Sequence, residues 1–136
     1  MQYSPTYKDL ADRDLEFAYK IKGQDMQAYS VRAVQQFVEK YMKHIIWYNT
    51  EHDFKGLLTT HNLPGLAKAV EIIVNEKYSK EDKMWFRALR SWYFDTTYPG
   101  DNYIEVTEED EEELFEWLEG FAVKIRKQQK EQEQEQ

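Results

Sequence analysis

Three histidines, His44, His52 and His61, a lysine pair, Lys40 and Lys43, and two tyrosines, Tyr98 and Tyr103, are the side chains whose type and spacing could do chemistry in this chain. Lys40 and Lys43 fall with Arg32 and Gln36 at helical spacing on one side of the segment 25–48, opposite its apolar residues. Such a stripe reads either as a solvated helix face or as an anion- or partner-facing surface, on which a lysine acts as a point charge without the two-pronged geometry of arginine. His61 stands just before a helix start and either caps and packs there or donates a hydrogen bond to a nucleotide or to the long loop. In the stretch 94–106, Tyr98 and Tyr103 could stack on a base, a contact worth about 1–3 kcal/mol, or could pin the loop to the core with Phe94, Ile104 and Val106. Glu51, His52, Asp53 and His61 are metal-binding types, but their spacing matches no strong zinc motif. The carboxylate run at 108–113 reads as a solvated face. With no cysteine, disulfides, Cys-ligated zinc and thiol catalysis are excluded. No metal and no cofactor are expected.

Helices must position these groups. Only five Gly and three Pro punctuate 136 residues, and three- and four-residue apolar steps dominate. A first helix is expected over about 8–22, with Leu10, Ala11, Asp14, Leu15, Phe17, Ala18 and Ile21 marking an apolar stripe interrupted by one acid. Val31, Val34, Val38, Tyr41, Ile45 and Tyr48, with Phe37 beside them, mark a second over about 25–48. Residues 49–60 read as a connection with one helical turn near 53–58. Asn62 then caps a third helix with Pro64 in its first turn. A fourth helix over 80–93 turns Trp85, Ala88, Leu89 and Trp92 inward and carries Lys80, Lys83, Arg87 and Arg90 on another side. Pro99-Gly100 forbids its continuation. The last helix opens at the capping-box-like Thr107 to Asp110 and buries Leu114, Leu118, Phe121 and Ile125, with Trp117 alongside. The fold class is all-α, an antiparallel bundle of four to five helices. Residues 1–127 form one domain, and 128–136, with nothing apolar to dock, are expected to be a frayed polar tail.

The charge is unevenly spread. Residues 101–119 hold ten acidic and no basic side chains, so the formal net charge of −8 leaves about +2 for the rest. The Glu-rich start of the last helix is therefore the expected counterpart of the basic stripe on the fourth, within one subunit or across a dimer. A sequence pI near 4.9 argues against generic DNA coating but not against a local anion site. No apolar run reaches the roughly 18 residues of a membrane span, and the N-terminus lacks a signal-peptide core, so a cytoplasmic protein is expected.

Four stretches in order resemble one family. Ala33 to Ile46, AVQQFVEKYMKHII, resembles the AxQQAxEKxLKALL segment of HEPN domains. Thr60-His61-Asn62-Leu63 stands where that family has THDL, Tyr98-Pro99 where many members have RYP, and Thr107 to Asp110 at the acidic helix start. The resemblance covers about residues 8–127. It implies a bundle of four to five helices that usually dimerises, is often paired with a small nucleotidyltransferase-type partner, and is proposed to bind nucleotides. Some branches are toxin RNases that use an Arg followed, after four to six residues, by a His. None of His44, His52 or His61 has an Arg at that distance, and Thr97 replaces the Arg of RYP.

The function expected is a HEPN-like binding or regulatory module that is a homodimer, binds a nucleotide and pairs with a nucleotidyltransferase-type protein. Lys40, Lys43, His61 and Tyr98 are the nucleotide- or anion-binding candidates, with no catalytic residue assigned. The alternatives are a toxin-like RNase with an unrecognised site and a purely structural interaction domain.

Overall fold

The computed structural model describes residues 4–49, 55–96, 100 and 103–134. Its helices are α1 (Tyr7–Ile21), α2 (Gln27–Tyr48), α3 (Leu63–Val74), α4 (Lys80–Asp95) and α5 (Glu108–Gln134), with a short 3-10 helix at Lys55–Thr59 before α3. There is no strand among the described residues. Local chemistry sets the helix starts. Thr6 and Asp9, Ser79 and Asp82, and Thr107 and Asp110 each exchange two side-chain-to-backbone hydrogen bonds across a first turn. Asn62 caps α3 by accepting from the Gly65 N–H at 3.3 Å, and Pro64 follows in the first turn. Gly23, at φ +77°, makes the left-handed turn that sends α2 back along α1.

The bundle has two antiparallel hairpins, α1/α2 and α3/α4. In the first, Lys40 reaches Asp14 at 2.6 Å. In the second, Lys83 lies 3.6 Å from Glu71 and the rings of His61 and Tyr93 are 5.5 Å apart. Helix α5 runs antiparallel to α1, where Arg126 pairs with Asp12 at 3.1 Å and Tyr19 meets Phe115 edge-on. Its start is tied to the α1–α2 turn by Glu111, which accepts from the Gly23 N–H at 2.9 Å and the Ser30 hydroxyl at 2.5 Å.

Helix α2 is the axis of the bundle and packs against all four others. Fourteen of its 22 residues are buried, Gln35, Glu39, Lys43 and His44 among them. That corrects the reading of Lys43 as part of an exposed stripe: Arg32, Gln36 and Lys40 stay half-buried, whereas Lys43 is turned into the packing between α2 and its neighbours. Between α4 and α5 an aromatic cluster fills the core: Trp117 stacks on Phe121 at 4.6 Å and on Trp85 at 5.8 Å. Such pairs contribute about 0.5–1.5 kcal/mol each beyond burial. Asp82 anchors the cluster. Burial alone would raise its pKa, but donors from Lys124 at 2.8 Å and Trp117 at 2.9 Å hold it below the usual carboxylate value.

Three further expectations are corrected. Helix α5 does not fray at 128 but continues to Gln134, with Gln128, Gln129 and Gln132 buried. These amides prolong the stripe of Phe121 and Ile125 at helical spacing, and Gln128 accepts from the buried Tyr78 hydroxyl at 2.8 Å. Phe17 is 47% exposed, because Ala11, Leu15 and Ala18 already fill the face of α1 toward α2. Within the protomer Lys83 of the α4 stripe pairs with Glu71 of α3, and among the described residues no ion pair joins the stripe to the acidic start of α5. No helix among the described residues is long and apolar enough to cross a membrane.

Candidate functional site

Gln35, Glu39 and Lys43 stand four residues apart, so they lie in one line along α2. The Glu39 carboxylate is the centre of the line. Its Oε1 accepts from Gln35 Nε2 at 3.0 Å and from His61 Nδ1 at 3.0 Å, and its Oε2 accepts from Lys43 Nζ at 3.2 Å. Gln35 in turn accepts from Gln36 Nε2 at 2.6 Å. The Glu39 and Lys43 side chains are 3% and 7% exposed, whereas His61 is 49% exposed. A charged pair so far from water loses hydration that only complete hydrogen bonding offsets, and here the carboxylate has three donors.

Local structure delivers His61 to this spot. The 3-10 helix folds the chain back after α2, Thr60 accepts from the Asn62 N–H at 3.2 Å, and Asn62 starts α3. His61 therefore sits at the joint between α2 and α3, with its ring tilted 31° to that of Tyr93 near the end of α4. An ionised carboxylate can only accept, so Nδ1 donates to Glu39 and Nε2 points away from it, an acceptor in the neutral ring and a donor in the imidazolium. The result is a half-exposed ring held in place by its Nδ1, with Nε2 directed outward. That edge can receive an N–H or O–H of a ligand, or a proton.

The structure joins two of the four sequence candidates and separates a third. Lys43 and His61 meet on Glu39. Lys40 points to the opposite hairpin partner and pairs with Asp14 of α1, which explains the one acid in the α1 stripe. Arg32 lies over the Tyr29 ring at 4.7 Å. Tyr98 lies outside the described residues, as do Glu51, His52 and Asp53; among the described residues no group of three or more metal-binding side chains occurs. Sequence reasoning missed Gln35 and Glu39. The signal was present as three polar residues at four-residue steps inside a helix lined with Val, Ile and Tyr.

All four residues of the network fall in the stretches through which the chain resembles HEPN domains. A family model, described as HEPN domain, matches residues 6–128. No curated protein and no solved structure matches the chain. With nearly the whole bundle inside the match, the chain belongs to the HEPN domain family.

Proposed function

We propose that this HEPN domain is a binding module that takes a nucleotide at the His61 end of the α3/α4 hairpin and acts as a homodimer beside a nucleotidyltransferase-type partner. The observation that carries the ligand reading is the Glu39–His61 bond, which fixes an exposed imidazole edge next to the Tyr93 ring. His61 Nε2 meets a polar group of base or ribose, and Tyr98, a sequence candidate outside the described residues, is the residue expected to stack on the base. Lys43 contributes by neutralising Glu39, so its charge is committed and is not a phosphate clamp. With Thr97 where the family has Arg, affinity is modest, about −5 kcal/mol, or high micromolar. The dimer and the protein partner rest on family membership.

Titration calorimetry with the four ribonucleoside triphosphates against wild type and His61→Ala tests the reading. Heat that saturates in wild type and vanishes in the variant supports it; no saturable heat with any nucleotide removes it. A second reading, RNA cleavage with His61 as general base, is favoured by the same Glu39-supported imidazole. Cleavage of an RNA pool in metal-free buffer that is lost in His61→Ala would establish that reading instead.

A further inference from the structure

Two helix faces of the bundle are left without partners. On α5, Glu109, Glu112, Glu116, Glu119 and Val123 follow one another at steps of three, four, three and four residues, away from the buried Leu114, Leu118 and Phe121. All five are exposed. On α4, Lys80, Lys83, Arg87, Arg90 and Phe94 repeat the same steps. Lys83 is engaged by Glu71 at 3.6 Å, and the other four are exposed. Among the described residues no ion pair involves Lys80, Arg87, Arg90 or any of the four glutamates. Each face is thus a row of like charges closed by an exposed apolar residue, and the two rows are opposite in sign.

Their heights meet the condition of a two-fold contact. Within a protomer α4 and α5 are antiparallel: Asp82 reaches Lys124 at 2.8 Å, whereas Phe86, one turn on, packs on Trp117 at 6.1 Å. One residue further along α4 and one back along α5, Arg87 and Glu116, the middle of each row, stand at the same height. A two-fold axis crossing the bundle at that height turns α5 of a second copy end for end, so that it runs parallel to α4. Lys80 then meets Glu109 of the second copy, Arg87 meets its Glu116, Arg90 its Glu119 and Phe94 its Val123, and symmetry repeats every pair. Rows centred at different heights would fall out of register. A foreign partner does not require the two rows of one chain to match each other in sign, step and height; a second copy does.

We infer that the outer faces of α4 and α5 form the interface between two copies of this chain, with Arg87–Glu116 and Arg90–Glu119 as its central ion pairs and Phe94 on Val123 at its ends. The inference rests on the homodimer proposed above and names its face. Exposed ion pairs are individually weak and screened by salt, so this contact fixes register more than it supplies affinity.

A chain without cysteine makes the register measurable. Phe94 stands level with Glu109 of its own α5, fourteen residues before Val123, so Phe94→Cys and Val123→Cys place two thiols about 21 Å apart in one protomer. They can bridge only across copies. Mild oxidation of the full chain carrying both should give a linked species of about twice 16.5 kDa, and each single variant should stay unlinked, because the two-fold sets like positions at opposite ends. Sedimentation equilibrium at low salt tests the charges. Arg87→Glu with Arg90→Glu, and separately Glu116→Lys with Glu119→Lys, should each weaken self-association at least about tenfold. Mixed in equal amounts, the two variants should associate to within about threefold of wild type, since each now offers what the other lacks. That recovery would also show both to be folded. A double-cysteine chain that does not link, single variants that link equally well, or a mixture no better than its components overturns the inference. If wild type is a dimer and both charge variants dimerise as tightly, the dimer stands on another face and this one falls; a monomeric wild type removes both.

Discussion

Replacing Glu39 by Leu should damage this protein far more than an average salt-bridge deletion. The change strands the Lys43 ammonium, 7% exposed, without a counter-charge, and removes the acceptor for Gln35 and His61. Breaking a buried pair from one side costs about 3–5 kcal/mol. Half-exposed His61 regains water, so its share is small, and we take about 3 kcal/mol as the total. Lys43→Met leaves Glu39 with two donors and should cost about 2–3 kcal/mol. Because two apolar side chains can fill the same space, the double variant should return to within about 1 kcal/mol of wild type. The non-additivity is then at least ~4 kcal/mol, above the roughly 0.5–3 kcal/mol usual for contacting pairs. Against a total stability of about 5–15 kcal/mol, each single variant loses a readable share. Urea unfolding followed by the fluorescence of the four tryptophans measures it, with Trp85 and Trp117 buried in the α4–α5 cluster. Single variants each costing under ~1 kcal/mol, with an additive double, would refute the reasoning, since that is how a solvent-screened surface pair behaves.

Three other outcomes are expected. His44 is buried and among the described residues has no hydrogen-bond partner on either ring nitrogen, and burial lowers its pKa below the ordinary 6.5 against the opposing pull of Glu133, Asp9 and Asp12. The unfolded chain therefore takes up the proton first, so the stability is fully present above pH 6.5 and is lost as the pH falls below it, by up to about 1.4 kcal/mol per unit. Urea midpoints at pH 7.5 and 5.5 should show the loss in wild type and less of it in His44→Leu. Truncation after Lys127 should cost about 1–3 kcal/mol, because it leaves the Tyr78 hydroxyl buried without its Gln128 acceptor; an unchanged urea midpoint would contradict that. Light scattering after gel filtration should give about twice 16.5 kDa, and a monomer persisting at high micromolar concentration would count against the dimer.

Helix positions were legible because their signals are local. Capping residues Asn62 and Thr107, the Gly23 break and the Val31 to Ile45 stripe act within a turn or two, and each is found where its chemistry puts it. What failed was assigning outward faces. Lys43 reads as a surface lysine until the neighbours of α2 are known, and only the packing of four helices around α2 makes a buried counter-charge necessary. The same gap hid the glutamines of α5, which read as tail composition but lie opposite Tyr78. Half of the site was visible as Lys43 and His61. Glu39, which joins them, was hidden because an acid at i−4 from a lysine on a helix is ordinarily an exposed pair.

Long-range 1H–15N NMR of the imidazoles tests the central claim most directly, that Glu39 holds His61 with an open acceptor edge for a ligand. At pH 7.5 the account predicts that His61 is in the Nδ1–H tautomer, with its Nε2 resonance shifting saturably on nucleotide addition. In the Glu39→Leu, Lys43→Met double variant the chain should stay folded while both the tautomer preference and the ligand shift are lost. An Nε2–H tautomer in wild type, or a nucleotide response that survives unchanged in the double variant, would contradict the account.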